Sequence, residues 1–281
     1  MKIAVTGGSG YIGAALVAEL VKAGHHVTAL VRNAGAAGKV SRLGAEAAVG
    51  DLFEPGWVAA RFAETDAVAH LAATGNPSTQ QLDRGIVEAA KQAGKPYVHT
   101  SGIWLWGDNA AITEESPIQP PALTQWRVPV EEAVLTSGLV VTIIAPAVVY
   151  GHGGGSVVTA FTAGRTVEGK LPLAGDGSQH WSTVHVDDIA RLYRLVLERG
   201  EGLGYLIGAC GDNPVVRDLG AACAGPAGIA EQSVAATRER FGTPFADALL
   251  LDQQATGAKA RGLGWQPSGP SLAEELRAGK Y

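Results

Sequence analysis

The chain has 281 residues, of which 46% are hydrophobic and 17% charged, enough to close a large core and too apolar for a long disordered tail. A net charge of -5 without a Lys/Arg stripe argues against nucleic acid and anionic membrane as partners. The two cysteines, Cys210 and Cys223, form no CxxC and no Cys/His group at metal-ligand spacing, so neither a disulfide scaffold nor a metal site is expected and a reducing, cytoplasmic setting fits. The opening MKIAVTGG has no apolar signal-peptide core, and no run approaches the roughly 18 apolar residues of a membrane span. With 38 glycines and 14 prolines, the chain carries a surplus of turn formers that needs a specific location.

From residue 2 onward one phrase repeats: a short β-branched run, a turn, then an Ala/Leu-rich helical stretch. The spacing predicts a strand at 2–6 and a helix at 11–23, with Ile12, Leu16, Leu20 and Ala23 on one face and Gly24 as its stop. Strands are expected at 26–32, 46–50, 67–73 and 96–101, and their continuous apolar character fits burial on both faces. Helices are expected at 79–93 and 125–137. The run 140–149, interrupted by Pro146, reads as a sixth strand entering a loop. Residues 186–199 form an amphipathic helix, and the rest alternates short helices with turns. The fold class is therefore α/β: a Rossmann-type, doubly wound parallel sheet with a smaller C-terminal substrate lobe. The expected division is a dinucleotide-binding domain at 1–150 with part of 180–210, and a substrate lobe at 151–180 and 211–281.

The first strand runs into Thr6-Gly7-Gly8-Ser9-Gly10-Tyr11-Ile12-Gly13. Glycines at positions 7, 10 and 13 permit a tight turn, close backbone approach to a diphosphate and close packing of helix on sheet, with the helix N-terminus facing the anion. Gly7, Gly10, Tyr11, Ile12 and Gly13 are thus candidate cofactor contacts. At the end of the second strand, where a carboxylate would hold the ribose hydroxyls of NAD, the chain has Arg32. A guanidinium there accepts a 2′-phosphate, so NADP(H) is expected over NAD(H), with Lys39 and Arg42 as helpers; the alternative is a solvated strand-end arginine.

With these features in hand, the chain resembles an extended short-chain dehydrogenase/reductase, of the NAD-dependent epimerase/dehydratase-like group. The likeness rests on TGGSGYIG at 6–13, GDL at 50–52, HLAA at 70–73, HTSG at 99–102, APAVVYG at 145–151, STVHVDDIA at 182–190 and RGLGWQP at 261–267. The resemblance implies cofactor contacts from Asp51 and Leu52, from Leu71, Ala72 and Ala73, from Thr100, and from Pro146, Val148 and Val149. It also implies a homodimer by analogy.

One element of that family is missing. Its Tyr-x-x-x-Lys pair, in which lysine lowers the tyrosine pKa for proton exchange, occurs nowhere. Gln125 or Trp126 falls near the tyrosine position and Pro129 or Val130 near the lysine. The resemblance makes Ser101 a polariser of the substrate, against the alternative of a strand-end serine bonding its own backbone. Tyr150 and His152 complete the catalytic candidates. His180 and Asp108 are weaker ones, and His185, Asp187 and Asp188 read as structural, with an aspartate capping the helix that follows. Trp104, Trp106, Trp126 and Trp181 fall in segments that border the family's substrate cleft, or else pack in the core; as a cleft wall they fit a flat apolar or aromatic substrate.

These readings lead to an NADPH-dependent reductase of atypical mechanism for a small C=O, C=N or C=C substrate. A non-catalytic NADP(H)-binding sensor is the alternative, and a nucleotide-sugar epimerase or dehydratase is the third reading, weakened by the lack of an activated base.

Overall fold

A computed structural model describes residues 1–281. A seven-stranded sheet is built from β1 (Lys2–Thr6), β2 (His26–Val31), β3 (Glu46–Val49), β4 (Ala67–His70), β5 (Tyr97–Thr100), β6 (Val141–Pro146) and β7 (Gly204–Gly208). Its spatial order is β7-β6-β5-β4-β1-β2-β3. The pairs β3–β2, β2–β1, β1–β4, β4–β5 and β5–β6 are all parallel. Between β1 and β4 the direction of winding reverses, and such a switch point opens a crevice at the carboxyl ends of the strands.

Connecting helices are α1 (Tyr11–Lys22), α2 (Ala34–Arg42), α3 (Pro55–Ala63), α4 (Ser78–Ala93) and α5 (Arg127–Leu135), followed by α6 (Val186–Arg199). In α4 the buried Leu82, Ile86, Ala89 and Ala90 recur at helical spacing, and Gly94 ends the helix in a left-handed conformation. They share one core with Val58 and Phe62 of α3 and with Ala4, Leu30, Val68 and Tyr97 of the strands. Burying each large side chain contributes about 1.5–3 kcal/mol, which is what holds these short helices in place. No helix is long and apolar enough to cross a membrane.

The chain divides into two compact units: Met1–Ser101, Trp126–Ala145 and Ile189–Leu206 in the first, and Gly102–Gln125, Pro146–Asp188 and Ile207–Tyr281 in the second. Residues 102–125 thus leave the unit expected from the sequence. The cause is a short strand, Asn109–Ile112, that pairs with Gln253–Ala255, while the buried Gln253 side chain donates to Ile103 O and Gly107 O at 3.1 and 2.7 Å. Within the second unit Val148–Tyr150 pairs in parallel with Thr183–His185. The single run expected at 140–149 is therefore two strands, Val141–Pro146 and Val148–Tyr150, the break falling at Ala147. The second unit's core holds Tyr150, Phe161, Leu173, Trp181, Leu219, Leu249 and Leu272.

Asp188 does not cap α6 in the simple way expected. Its carboxylate accepts the backbone N–H groups of Ser268 and Gly269 at 2.8 and 2.9 Å, and its own carbonyl accepts the Trp265 indole N–H at 2.8 Å. Asp188 is buried, so removing it strands two amide donors. Asp188→Ala is expected to lower unfolding stability by about 3 kcal/mol in urea melts, against a negligible loss for the exposed Asp218→Ala.

Candidate functional site

At the carboxyl end of β1 the chain turns with Gly7 at a φ of +74°. A Cβ on Gly7 would lie 2.7 Å from Leu71 O and 2.6 Å from Ala72 N, so the turn lies directly on the segment leaving β4. A Cβ on Gly13 would collide with the Gly7 carbonyl, which brings α1 equally close to the turn. Gly10 N donates to Gly7 O at 2.9 Å, and Gly10 starts α1 with no side-chain cap. No acidic residue stands in the first turn of α1, so nothing from this helix competes with a bound anion for its positive end. Gly7, Gly10, Tyr11, Ile12, Gly13, Leu71 and Ala72 therefore converge at the switch point, and the cradle fits a dinucleotide diphosphate.

Arg32 is exposed directly after β2, and Asn33 caps α2 by accepting from Ala36 N at 2.9 Å. Lys39 and Arg42 lie in the last turn of α2, at the end away from Arg32. Asp51 follows β3 in a turn in which its Oδ1 accepts Phe53 N at 2.9 Å, with Leu52 half-buried beside it. Ala73 is exposed, two residues beyond the contact with Gly7 at Leu71. Pro146, Val148 and Val149 belong to the second unit.

Beneath the cradle runs a buried polar seam that the sequence reading missed. Ala72 N donates to Thr6 Oγ1 at 3.4 Å, and Thr6 Oγ1 lies 2.6 Å from His70 Nδ1. The Thr6 hydroxyl thus gives its proton to Nδ1, which leaves His70 Nε2–H to donate to Asp83 Oδ1 at 3.0 Å. Burial pushes the Asp83 carboxyl up, but the hydrogen bond from His70 and the positive charge of Arg127 hold it below its ordinary value. His99 Nδ1 meets the Tyr97 hydroxyl at 3.0 Å, and its Nε2 is buried without a partner. Burial, reinforced by neighbouring His70, lowers the His99 pKa to about 3, so the ring is neutral in the fold.

At the carboxyl end of β5, Thr100 Oγ1 donates to His70 O at 2.7 Å and lies 2.7 Å from the Tyr193 hydroxyl. Arg127, the first residue of α5, donates from Nη1 to Thr100 O at 3.1 Å and stands 4.7 Å over the Trp126 ring. One turn on, Glu131 is fully buried; its Oε2 accepts the Tyr205 hydroxyl at 2.9 Å, and its Oε1 is 3.8 Å from Arg127 Nη1. Burial pushes the Glu131 carboxyl up against the opposing pull of Arg127 and of the Ser101 and Tyr205 hydroxyls. Ser101 Oγ and Glu131 Oε1 are both buried without a hydrogen bond of ordinary geometry. Gln125 and Trp126 precede the helix, and the charged α5 side chains beside the end of β5 are Arg127, bonded to Thr100 O, and Glu131, beside Ser101. An i,i+4 Arg/Glu pair flanking the apolar Val128-Pro129-Val130 stretch was the available signal.

In the second unit, Tyr150 is buried and donates its hydroxyl to Pro270 O at 2.7 Å, which gives it a packing role. Burial pushes its phenol far above the ordinary range. Trp181 is likewise a core residue, its indole N–H donating to Leu249 O at 3.0 Å and its ring set edge-on to Phe161. Trp106 is buried, and Trp104 stands edge-on to Phe245. Asp108 accepts Asp252 N and His180 pairs with Asp252, each at 2.8 Å, ordinary loop fastening. His152 is exposed and pairs with Asp187 at 3.0 Å.

The strand order, the reversal of winding and the glycine turn at that reversal define a Rossmann-type dinucleotide-binding protein. The chain belongs to the NAD dependent epimerase/dehydratase family, whose profile matches residues 3–208. It is 28% identical over 297 residues to an uncharacterized protein of Saccharomyces cerevisiae, covering 99% of this chain and 98% of that one. It is 29% identical over 211 residues to a 3-diazoavenalumate denitrifying reductase of a Streptomyces species, covering 67% and 69%. Among solved structures it resembles UDP-glucuronic acid 4-epimerase from Bacillus cereus, bound to UDP-glucuronic acid and NAD, with a TM-score of 0.77 at 19% identity over 100% of this chain and 98% of that one.

The neutral, buried His99 sets a pH dependence. Unfolded, it takes a proton as pH falls through about 6.5; folded, it resists until about 3. Its contribution to stability is therefore present above pH 6.5 and lost as pH falls through that window, at up to about 1.4 kcal/mol per unit. His99→Gln is expected to flatten the fall in melting temperature between pH 6.5 and 4.5; an unchanged slope would assign acid sensitivity elsewhere.

Proposed function

We propose that the protein is an NADPH-dependent reductase of the short-chain dehydrogenase/reductase type, acting on a small, largely apolar or aromatic acceptor through a C=O, C=N or C=C bond. The observation that carries the reading is the state of the one carboxyl group beside Ser101. Burial biases Glu131 toward its protonated form, which suits giving a proton at the Ser101 hydroxyl. Epimerisation or dehydration would begin by taking a proton from a substrate hydroxyl, and the Tyr-x-x-x-Lys pair that performs this in the family is absent. The similarity to a reductase supports the same direction.

When bound, the reduced dinucleotide supplies a hydride. The chain's own residues do the rest: the Gly7–Gly13 turn and the start of α1 hold the diphosphate, and Arg32 pairs with a 2′-phosphate. Leu71 and Ala72 fix the height of the turn. Glu131, anchored by Tyr205, holds a carboxyl whose proton affinity burial raises beside the end of β5, while Arg127 is tied to Thr100 O and positions that strand end.

Fluorescence titration is expected to show NADPH binding more tightly than NADH, and Arg32→Asp to weaken NADPH binding at least about tenfold while leaving NADH nearly unchanged. Turnover is then read as NADPH oxidation against a panel of carbonyls, imines and enones. Glu131→Gln is expected to lower kcat about tenfold or more with cofactor affinity retained. Tight NADPH binding with no turnover across the panel would overturn the reductase reading in favour of a non-catalytic NADP(H)-binding protein.

A further inference from the structure

The second unit contains a cluster that the dinucleotide reading does not use. His152 follows the short strand Val148–Tyr150, His185 ends the strand paired with it, and Asp187 lies in the first turn of α6. His152 Nε2 is 3.0 Å from Asp187 Oδ2, and His185 Nδ1 is 3.7 Å from the same oxygen. The three ligand-type atoms all lie within 4.8 Å of one another. We propose that His152, His185 and Asp187 form a binding site for one divalent transition-metal ion of the zinc class, with two imidazole nitrogens and one carboxylate oxygen as ligands and a further position open to solvent.

The spacing carries the first part of the argument. Ligand atoms about 2.0–2.1 Å from a tetrahedral ion stand about 3.3 Å from each other; the two distances to Asp187 Oδ2, 3.0 and 3.7 Å, bracket that value, and the two histidines, within 4.8 Å, close on the ion by side-chain rotation. Two imidazoles and a carboxylate suit zinc, cobalt, nickel or copper rather than magnesium or calcium, which prefer oxygen throughout. His152 is 64% and Asp187 46% exposed on their side chains, which leaves an entry path and room for a water ligand.

The tautomer and surroundings of His185 carry the second part. Asp187 N donates to His185 Nδ1 at 3.2 Å, so Nδ1 holds a lone pair on the side facing His152 and Asp187. The metal takes that lone pair in exchange for this long hydrogen bond. The opposite nitrogen, Nε2, faces Glu275 Oε1 at 3.6 Å. Glu275 is 1% exposed, and although Lys280 Nζ reaches Oε1 at 2.8 Å, its Oε2 is buried without a partner. A carboxyl group behind the far nitrogen of a histidine is the usual outer support of a metal-bound imidazole, and here one of its oxygens is buried and unbonded. Asp187 and Asp188 also offset the positive end of α6, which would otherwise oppose a cation.

Backbone conformation carries the third. His152 is the one non-glycine residue with positive φ, at +53°. Its turn is closed by Gly154 N donating to Gly151 O at 2.9 Å and pinned by the Tyr281 hydroxyl, which accepts Gly151 N at 2.7 Å and donates to Gly154 O at 2.9 Å. A Cβ on Gly151 would lie 2.6 Å from His185 Nε2, so the turn and the second histidine are fitted to each other. An exposed His–Asp ion pair alone contributes little and explains neither the third donor nor the strained conformation that presents His152 to it.

All these residues belong to the second unit, so the site is tested without reference to the dinucleotide. The full chain, stripped by chelator, is titrated with Zn2+ and Co2+ by calorimetry and visible absorption, with Mg2+ as control. One equivalent of Zn2+ is expected to bind and raise the melting temperature, and Co2+ to give the intense visible bands of a four- or five-coordinate ion. His152→Gly, which also relieves the backbone, and Asp187→Asn are each expected to weaken Zn2+ binding at least about tenfold, whereas His180→Asn leaves it unchanged. If Zn2+ affects wild type and His152→Gly equally, or neither, the site is an ion pair without a metal and the proposal is overturned.

Discussion

The first unit depends on one close approach: the backbone of Gly7 lies on the backbone of Leu71 and Ala72 with no room for a methyl group between them. Two strands that are adjacent in the sheet and far apart in sequence, β1 and β4, send their carboxyl ends to the same point because winding reverses between them. That contact sets how low the glycine turn sits and therefore where the first amides of α1 face. The Thr6–His70–Asp83 chain secures the contact from below, since Thr6 ends β1, His70 ends β4, and each bonds the other before either meets the turn.

Holding polar groups inside an α/β sheet is costly unless each finds a partner. Here the partners form a continuous line from Thr6 through His70 and Asp83, and a second from Tyr193 through Thr100 to Arg127. Only a few atoms are left over, and three of them, His99 Nε2, Ser101 Oγ and Glu131 Oε1, stand on β5, just after it and on α5. A scaffold selected for stability alone would fill these places with apolar side chains, so their retention is what gives the proposed proton role its weight.

Most of the architecture was legible in the sequence because both its signals are local. Strand 2–6, the glycine spacing after it and the helix that follows are a pattern of neighbouring residues, and β1, α1 and the turn between them stand where that pattern placed them. What escaped was fixed by tertiary contact. Helices α2 and α3 are only nine residues each, α2 burying a single large side chain, and β7, Gly-Tyr-Leu-Ile-Gly, is a strand largely by virtue of its neighbour β6. Likewise, little but their spacing sets Arg127 and Glu131 apart until α5 brings them to the end of β5, and the choice between cleft wall and core for the tryptophans at 106 and 181 is made by their burial. His152, His185 and Asp187 could not be joined from the sequence, since the histidines are 33 positions apart and a parallel strand pair brings them together.

Asp188 has a consequence of another kind. It lies inside the stretch matched by the family profile, residues 3–208, yet its carboxylate grips Ser268 and Gly269, well beyond it. The grip is made on main-chain amides, a feature every residue but proline offers. One side of this joint therefore has to stay an aspartate while the other is freer to drift, Trp265 and Gly269 excepted, because the Trp265 indole donates to Asp188 O and a Cβ at 269 would stand 2.6 Å from the His185 side chain. Divergence between relatives is then expected to collect in the last seventy residues without loosening their attachment, so that a lineage could remodel that region for new ligands while keeping the same anchor.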